Sequence, residues 1–213
     1  MSTPATPASP TTERRWREDL DLAHAIADQV DPVTRAHFER QDFEVQTKPD
    51  LTPVTDADRQ AERMIRESLS RARARDCILG EEFGRTGRSP RQWVIDPIDG
   101  TKNFVRGVPV WATLIGLVED GEVVVGLVSA PALGRRWWAV AGGGAWTGRS
   151  LSASRRLRVS GVRGLEDASL SYASLSGWAQ RKRLGAMLSL MRDCWRTRAY
   201  GDFWSYMLVA EGA

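Results

Sequence analysis

Sulfur, imidazole and phenol side chains are scarce here: the 213 residues include two cysteines, two histidines and three tyrosines. Cys77 and Cys194 stand far apart, each beside apolar residues, which predicts two separate buried thiols in a reducing compartment rather than a disulfide framework. His24 and His37 fall in one helical pattern away from the acidic motifs, too few for a zinc centre, and read as surface residues. An excess of one charge sign is also missing. With 30 Lys and Arg against 27 Asp and Glu the formal net charge is +3, and no basic patch interleaves with aromatics, so no nucleic-acid partner is implied. No apolar run approaches the roughly 20 residues that span a bilayer, and residues 1–10 lack the basic start and apolar core of a secretory signal. These absences predict a soluble cytoplasmic protein with no membrane partner.

What is present divides by pattern. The Pro, Ser, Thr and Ala bias of residues 1–12 predicts a disordered tail, followed by one domain over residues 13–213. Trp16, Leu20, Ala23, Ile26, Ala27 and Val30 recur at the spacing of one helix face over residues 13–40, with Pro32 as an interruption or restart. A short strand over residues 43–46 precedes a proline-rich loop over residues 47–55. A second helix over residues 57–74 then begins with Thr55 or Asp56 as its cap. Strands are predicted at residues 77–80 and 92–95, then at 110–119 and 123–129, joined by the hairpin dipeptide Asp120-Gly121. Further strands at residues 136–140, 145–147, 157–160 and 168–172 and helices at 177–192 and 202–210 complete an α/β or α+β layered sandwich. No Gly or Asn cap is apparent after Val209, so the last helix reads as unfinished and the chain as a C-terminally truncated fragment.

The nine tryptophans suggest sugar stacking, but Trp93, Trp111, Trp137 and Trp138 lie in strand-like runs and are expected in the core. Arg14, Arg15 and Arg17 and the arginines of residues 66–75 read as solvated helix faces. Gly142, Gly143 and Gly144 lack the Lys and Ser/Thr of a phosphate loop and read as a turn.

Chemistry concentrates elsewhere. Glu81, Asp96 and Asp99 each stand at or just beyond the end of an apolar strand, where side chains converge at a sheet edge. Hard cations such as Mg2+ take oxygen ligands, and phosphate chemistry combines a few carboxylates with water and substrate oxygens. In Asp96-Pro97-Ile98-Asp99 the first carboxylate can bridge two ions, and the Ile98 carbonyl adds an oxygen. Gly100 allows close backbone approach, and Gly100 and Thr101 can turn their N–H groups on a phosphate. The Thr101 hydroxyl, with the carboxylates of Glu81 and Asp56, can orient and deprotonate a water for in-line attack on phosphorus. A lone Asp-x-x-Asp is more often a pair of caps, Glu81-Glu82 more often solvated surface and Thr55-Asp56 more often a cap; their combination carries the reading.

Thr52-Pro-Val-Thr-Asp56, Gly80-Glu-Glu82 and Trp93-Val-Ile-Asp-Pro-Ile-Asp-Gly-Thr-Lys-Asn-Phe104 together resemble the inositol monophosphatase family of Mg2+-dependent phosphatases. Residues 47–213 are most similar to its subgroup acting on histidinol phosphate, through Lys102-Asn-Phe-Val-Arg-Gly-Val-Pro-Val-Trp111, Arg135-Arg-Trp-Trp138 and Tyr200-Gly-Asp-Phe-Trp-Ser-Tyr206, among others. The resemblance implies a layered αβαβα sandwich of the sugar-phosphatase type, a small phosphate monoester as substrate and a homodimer. It implies that Glu81, Asp96, the Ile98 carbonyl and Asp99 are metal ligands, that Asp56 and Thr101 position the attacking water, and that Gly100 and Thr101 bind phosphate. It places Gly201 and Asp202 against the organic part of the substrate, where an aspartate suits the ammonium of an amino-alcohol phosphate; the competing role for Asp202 is to cap the last helix. Family members continue to a Trp-Asp pair whose aspartate completes the second metal site. The sequence stops before it, which implies one ion held well and a second weakly. Rival expectations are a broad-specificity inositol-1-phosphate phosphatase and an inactive, dimerising fragment.

Overall fold

The computed structural model describes residues 10–49 and 53–213. Residues 1–9 of the expected tail lie outside the described residues, as do residues 50–52 of the expected loop. By compactness the chain divides into two units, Met1–Arg156 and Leu157–Ala213, where the sequence pattern suggested one domain over 13–213.

In the first unit, α1 (Pro10–Arg40) is a single helix with Pro32 inside it. β1 (Val45–Thr47) pairs antiparallel with β2 (Pro53–Thr55), so part of the expected loop is strand; edge pairing tolerates prolines that lack the N–H donor. α2 (Asp56–Ala72) starts at Thr55, whose side chain accepts from Asp58 N–H while the Asp58 carboxylate accepts from Thr55 N–H, a capping box. Thr55, not Asp56, is therefore the cap. β3 (Cys77–Gly80), β4 (Gly84–Thr86), β5 (Arg91–Asp99), β6 (Ala112–Glu119), β7 (Glu122–Ala130), β8 (Arg135–Val140), β9 (Gly144–Gly148) and β10 (Ser154–Arg156) form one sheet, with α3 (Thr101–Val105) after β5. The strand order is β10-β9-β8-β7-β6-β5-β3-β4, antiparallel except for the parallel β3–β5 pair. Asp120 and Gly121 both have positive φ, 51° and 86°, the geometry that a two-residue turn between β6 and β7 requires.

Helices α1 and α2 cover one face of this sheet. Ala23, Ile26 and Val30 of α1, Ile65 and Leu69 of α2, and Trp93, Ile115 and Leu127 of the sheet share one buried cluster. Trp93 and Trp111 are fully buried and Trp137 and Trp138 nearly so; the tryptophans of the strands are core, as their setting indicated.

Two surface expectations fail on this same face. His24 is buried, its ring edge-on to Trp138 at 4.8 Å, and burial followed by the Arg136 charge lowers its pKa to about 4. It falls four residues from Leu20, on the stripe that faces the sheet. Among the arginines, Arg66 and Arg73 are not simply solvated: Arg66 bonds Glu62 at 2.7 Å, and Arg73 bonds the fully buried Asp19 at 2.7 Å.

In the second unit, β11 (Ser169–Ser171) pairs in parallel with β12 (Arg196–Arg198), and α4 (Leu175–Gln180), α5 (Leu184–Asp193) and α6 (Asp202–Glu211) are its helices. The single helix expected over residues 177–192 is two, and the strand expected at 157–160 is irregular, the pairing segment being β10 just before it. Helix α6 is capped after all: Gly212 adopts φ 80° and its N–H returns to Leu208 and Val209 carbonyls. Both cysteines are free thiols, Cys77 buried and Cys194 only half-buried.

Candidate metal and phosphate site

The carboxylates converge because β3 and β5 run parallel and end side by side. Gly80 pairs with Ile95, and the Glu81 N–H bonds the Ile95 carbonyl at 3.2 Å. Asp96 is thus next to the turn that carries Glu81. The strand does not stop at Asp96 as its pattern suggested. β5 continues through Pro97 to Asp99, with its pairing to β6 irregular between Asp96 and Asp99. Pro97 has no N–H for the ladder, and its carbonyl instead accepts from the Thr113 hydroxyl at 2.9 Å. The Ile98 N–H bonds Asp96 Oδ1 at 3.1 Å and the Ile98 carbonyl accepts from Thr101 Oγ1 at 3.0 Å, so the segment folds back around its own polar atoms.

Gly100 supplies the bend, with φ 91°, and α3 starts at Thr101. A second apolar cluster of Ala57, Ile98, Phe104 and Trp111, all fully buried, lies under these groups. Ala57 neighbours Asp58 and Ile98 neighbours Asp99 in the chain, so the packing of this cluster fixes where those carboxylates emerge.

The water-positioning pair differs from expectation. Thr101 Oγ1 lies 3.5 Å from Asp58 Oδ1, whereas Asp56 is exposed and accepts the Glu44 N–H at 3.1 Å. The carboxylate that Thr101 reaches is therefore Asp58 and not Asp56. Asp58 is fully buried, bonded to Thr55 N–H at 2.8 Å and Thr55 Oγ1 at 2.5 Å. Burial raises its pKa to about 6 against those bonds, and the Glu82 charge adds to the rise. A carboxyl titrating near neutrality suits a group that takes a proton from water.

Asp96 shows what the cluster lacks. Its pKa is pushed far above the usual carboxylate range, first by burial and then by the charges of Glu81, Asp99 and Asp58. Lys48 Nζ bonds both Glu81 and Glu82 at 2.7 Å. Among the described residues no three Asp, Glu, His or Cys side chains already share a coordination point. The donor set is nevertheless all oxygen and its charge uncompensated at Asp96, which fits a hard divalent cation and not a soft one. Gly201 and Asp202 belong to the second unit. Gly201, buried, precedes α6 with φ 70°, and Asp202 is exposed at the first helical position with φ 46°. The N-cap of α6 is Gly201, with no side-chain cap bond, and Asp202 stands one residue further, in the first turn.

The inositol monophosphatase family model matches residues 15–213. The chain belongs to the inositol monophosphatase family. A histidinol-phosphatase of Streptomyces coelicolor is 62% identical over 202 residues, 93% of this chain and 76% of that protein. A histidinol-phosphatase of Mycobacterium tuberculosis is 57% identical over 197 residues, 92% and 76% of the two chains. Among solved structures, the IMPase of Thermotoga maritima aligns with a TM-score of 0.80 at 31% identity, covering 92% of this chain and 73% of that one. This inositol monophosphatase family member therefore has the mixed α/β fold with a large central sheet that its sequence indicated. Family membership also makes it a metal-dependent phosphatase of small phosphate esters. No helix among the described residues is long and apolar enough to cross a membrane.

Proposed function

We propose that this chain hydrolyses L-histidinol phosphate to L-histidinol and phosphate with Mg2+ as its cofactor, as a homodimer in the cytoplasm. The observation that carries the substrate choice is the identity of 62% and 57% to two histidinol-phosphatases, against 31% to the Thermotoga IMPase. In this reading Glu81, Asp96, the Ile98 carbonyl and Asp99 hold the cation. When bound, the ion offsets the charge of the phosphoryl oxygens and makes water more acidic.

The protein's own groups do the rest. Thr101 Oγ1, between the Ile98 carbonyl and Asp58, orients a water for in-line attack, and Asp58 takes its proton. The backbone N–H groups at Gly100 and Thr101 receive the phosphate, the positive φ of Gly100 leaving room for it.

Initial rates of phosphate release from L-histidinol phosphate and from inositol 1-phosphate, each with saturating Mg2+, test this choice. The expected result is a preference for histidinol phosphate of at least about tenfold, roughly 1.4 kcal/mol. A preference for the inositol ester would assign the chain to the family's other activity.

A further inference from the structure

Glu62 is fully buried, yet the chemistry above gives it no part. It lies one helical turn beyond Asp58 on α2. Its carboxylate accepts the backbone N–H of Glu82 at 2.6 Å and of Phe83 at 3.1 Å. Arg66, a further turn along, donates Nε to Glu62 at 2.7 Å. Its remaining nitrogens reach strand β4, which follows that turn, Nη1 to Thr86 Oγ1 at 2.5 Å and Nη2 to the Gly84 carbonyl. The Phe83 ring is held beneath the Arg66 and Arg63 guanidinium groups at 6.0 and 5.9 Å. A Cβ on Gly80 would fall on the Glu62 carboxylate, so the end of β3 is fitted around it.

A turn between β3 and β4 does not need this arrangement. Its N–H groups can be met by water at little cost, whereas the buried Glu62 carboxylate must offset a desolvation penalty of several kcal/mol. The clamp does what water cannot: it fixes the turn carrying Glu81 and Glu82 at a set distance from the helix carrying Asp58. We propose that Glu62, braced by Arg66, is a positioning residue that sets the affinity of this site for its divalent cation, leaving affinity for the phosphate ester little changed. The inference rests on the reading of Glu81 and Asp96 as cation ligands.

The test uses Mn2+ binding to the substrate-free chain, followed by the paramagnetic signal of the free ion, with hydrogen exchange at the Glu82 and Phe83 amides. Glu62→Gln is expected to weaken Mn2+ binding about tenfold or more, the usual scale for losing a group that orients a metal ligand. It should also speed exchange at both amides and leave KM for the ester within about twofold at saturating cation. Gly80→Ala keeps the chemistry of Glu62 but displaces it, and should shift Mn2+ binding in the same direction. Glu62→Asp should recover part of the loss. If Glu62→Gln does not fold, Gly80→Ala and Arg66→Lys decide. Variants that lose amide protection while binding Mn2+ as tightly as the wild type would overturn the proposal and leave Glu62 a scaffold residue. Failure of the functional reading looks different: the wild type would release phosphate from neither ester while the variants still bound Mn2+ more weakly.

Discussion

The two ends of strand β5 both gather carboxylates, and the chain treats them in opposite ways. At its start Arg91 bonds Asp19 at 2.7 Å, Asp76 at 3.2 Å and Glu119 at 2.9 Å. Arg73 adds a second bond to Asp19, while Arg15 and the Trp16 indole close on Glu119. These charges answer one another: the Glu119 pKa falls despite its burial, helped by the Trp16 hydrogen bond and the Arg15 and Arg91 charges. Toward the far end, five residues on, Asp96 is surrounded by the charges of Glu81, Asp99 and Asp58, and its pKa rises. A carboxylate cluster built for stability carries its own arginines. One whose neighbours push the pKa of its central carboxylate, Asp96, upward implies a cation from outside the chain.

The largest effect expected from breaking this contrast is at the neutralised end. Asp19→Ala leaves Arg73 and Arg91 without a fully buried partner and should cost about 3–5 kcal/mol of unfolding free energy. Denaturant unfolding measures it, and phosphate release by the protein that remains folded should match wild type. Next comes the charged end, where Asp58→Asn removes the proton acceptor and should lower turnover at least about a hundredfold, or roughly 2.7 kcal/mol. Asp56→Asn, two residues away, should change turnover less than about twofold. Equal losses in both variants would return the water-positioning role to doubt.

The smallest effect lies away from both ends, at His24 beside Trp138 of β8. His24 has a folded pKa of about 4 against 6.5 when free. Between these values the unfolded chain binds the proton and the folded chain does not, so this residue makes stability fall as pH drops from about 6.5 toward 4. His24→Phe should flatten that part of the thermal midpoint against pH, leaving activity near neutral pH unchanged.

The same contrast explains what could be read from the sequence. The strand-end acids, the Asp-Gly hairpin and the apolar helix faces were legible because each depends on local pattern alone. Asp58 is hard to tell from Asp56 in the sequence, because both fall in the first turn after the cap. The available signal was helical period: Asp58, Glu62, Ile65 and Leu69 are all buried at steps of three and four, which places both acids on the inward face. The same period shows His24 to be inward, since it shares its stripe with Leu20 and Ala27. Strand β2 was hidden by its proline and by partnership with β1 across the intervening residues, a tertiary choice that local propensity cannot express. The arginine network was invisible for a related reason: Asp19, Asp76, Arg91 and Glu119 are far apart in sequence and meet only through the sheet.

The central claim, that the far end of β5 holds excess negative charge for a cation, is tested most directly by thermal unfolding of Asp96→Asn with and without Mg2+. A carboxyl whose folded pKa is raised above its free value of 3.8 destabilises the fold increasingly as pH rises through the window above that value. The account therefore predicts that the cation-free variant melts higher than cation-free wild type at neutral pH, and that the increase Mg2+ gives the wild type disappears. A variant that melts lower and is still stabilised by Mg2+ as the wild type is would contradict it.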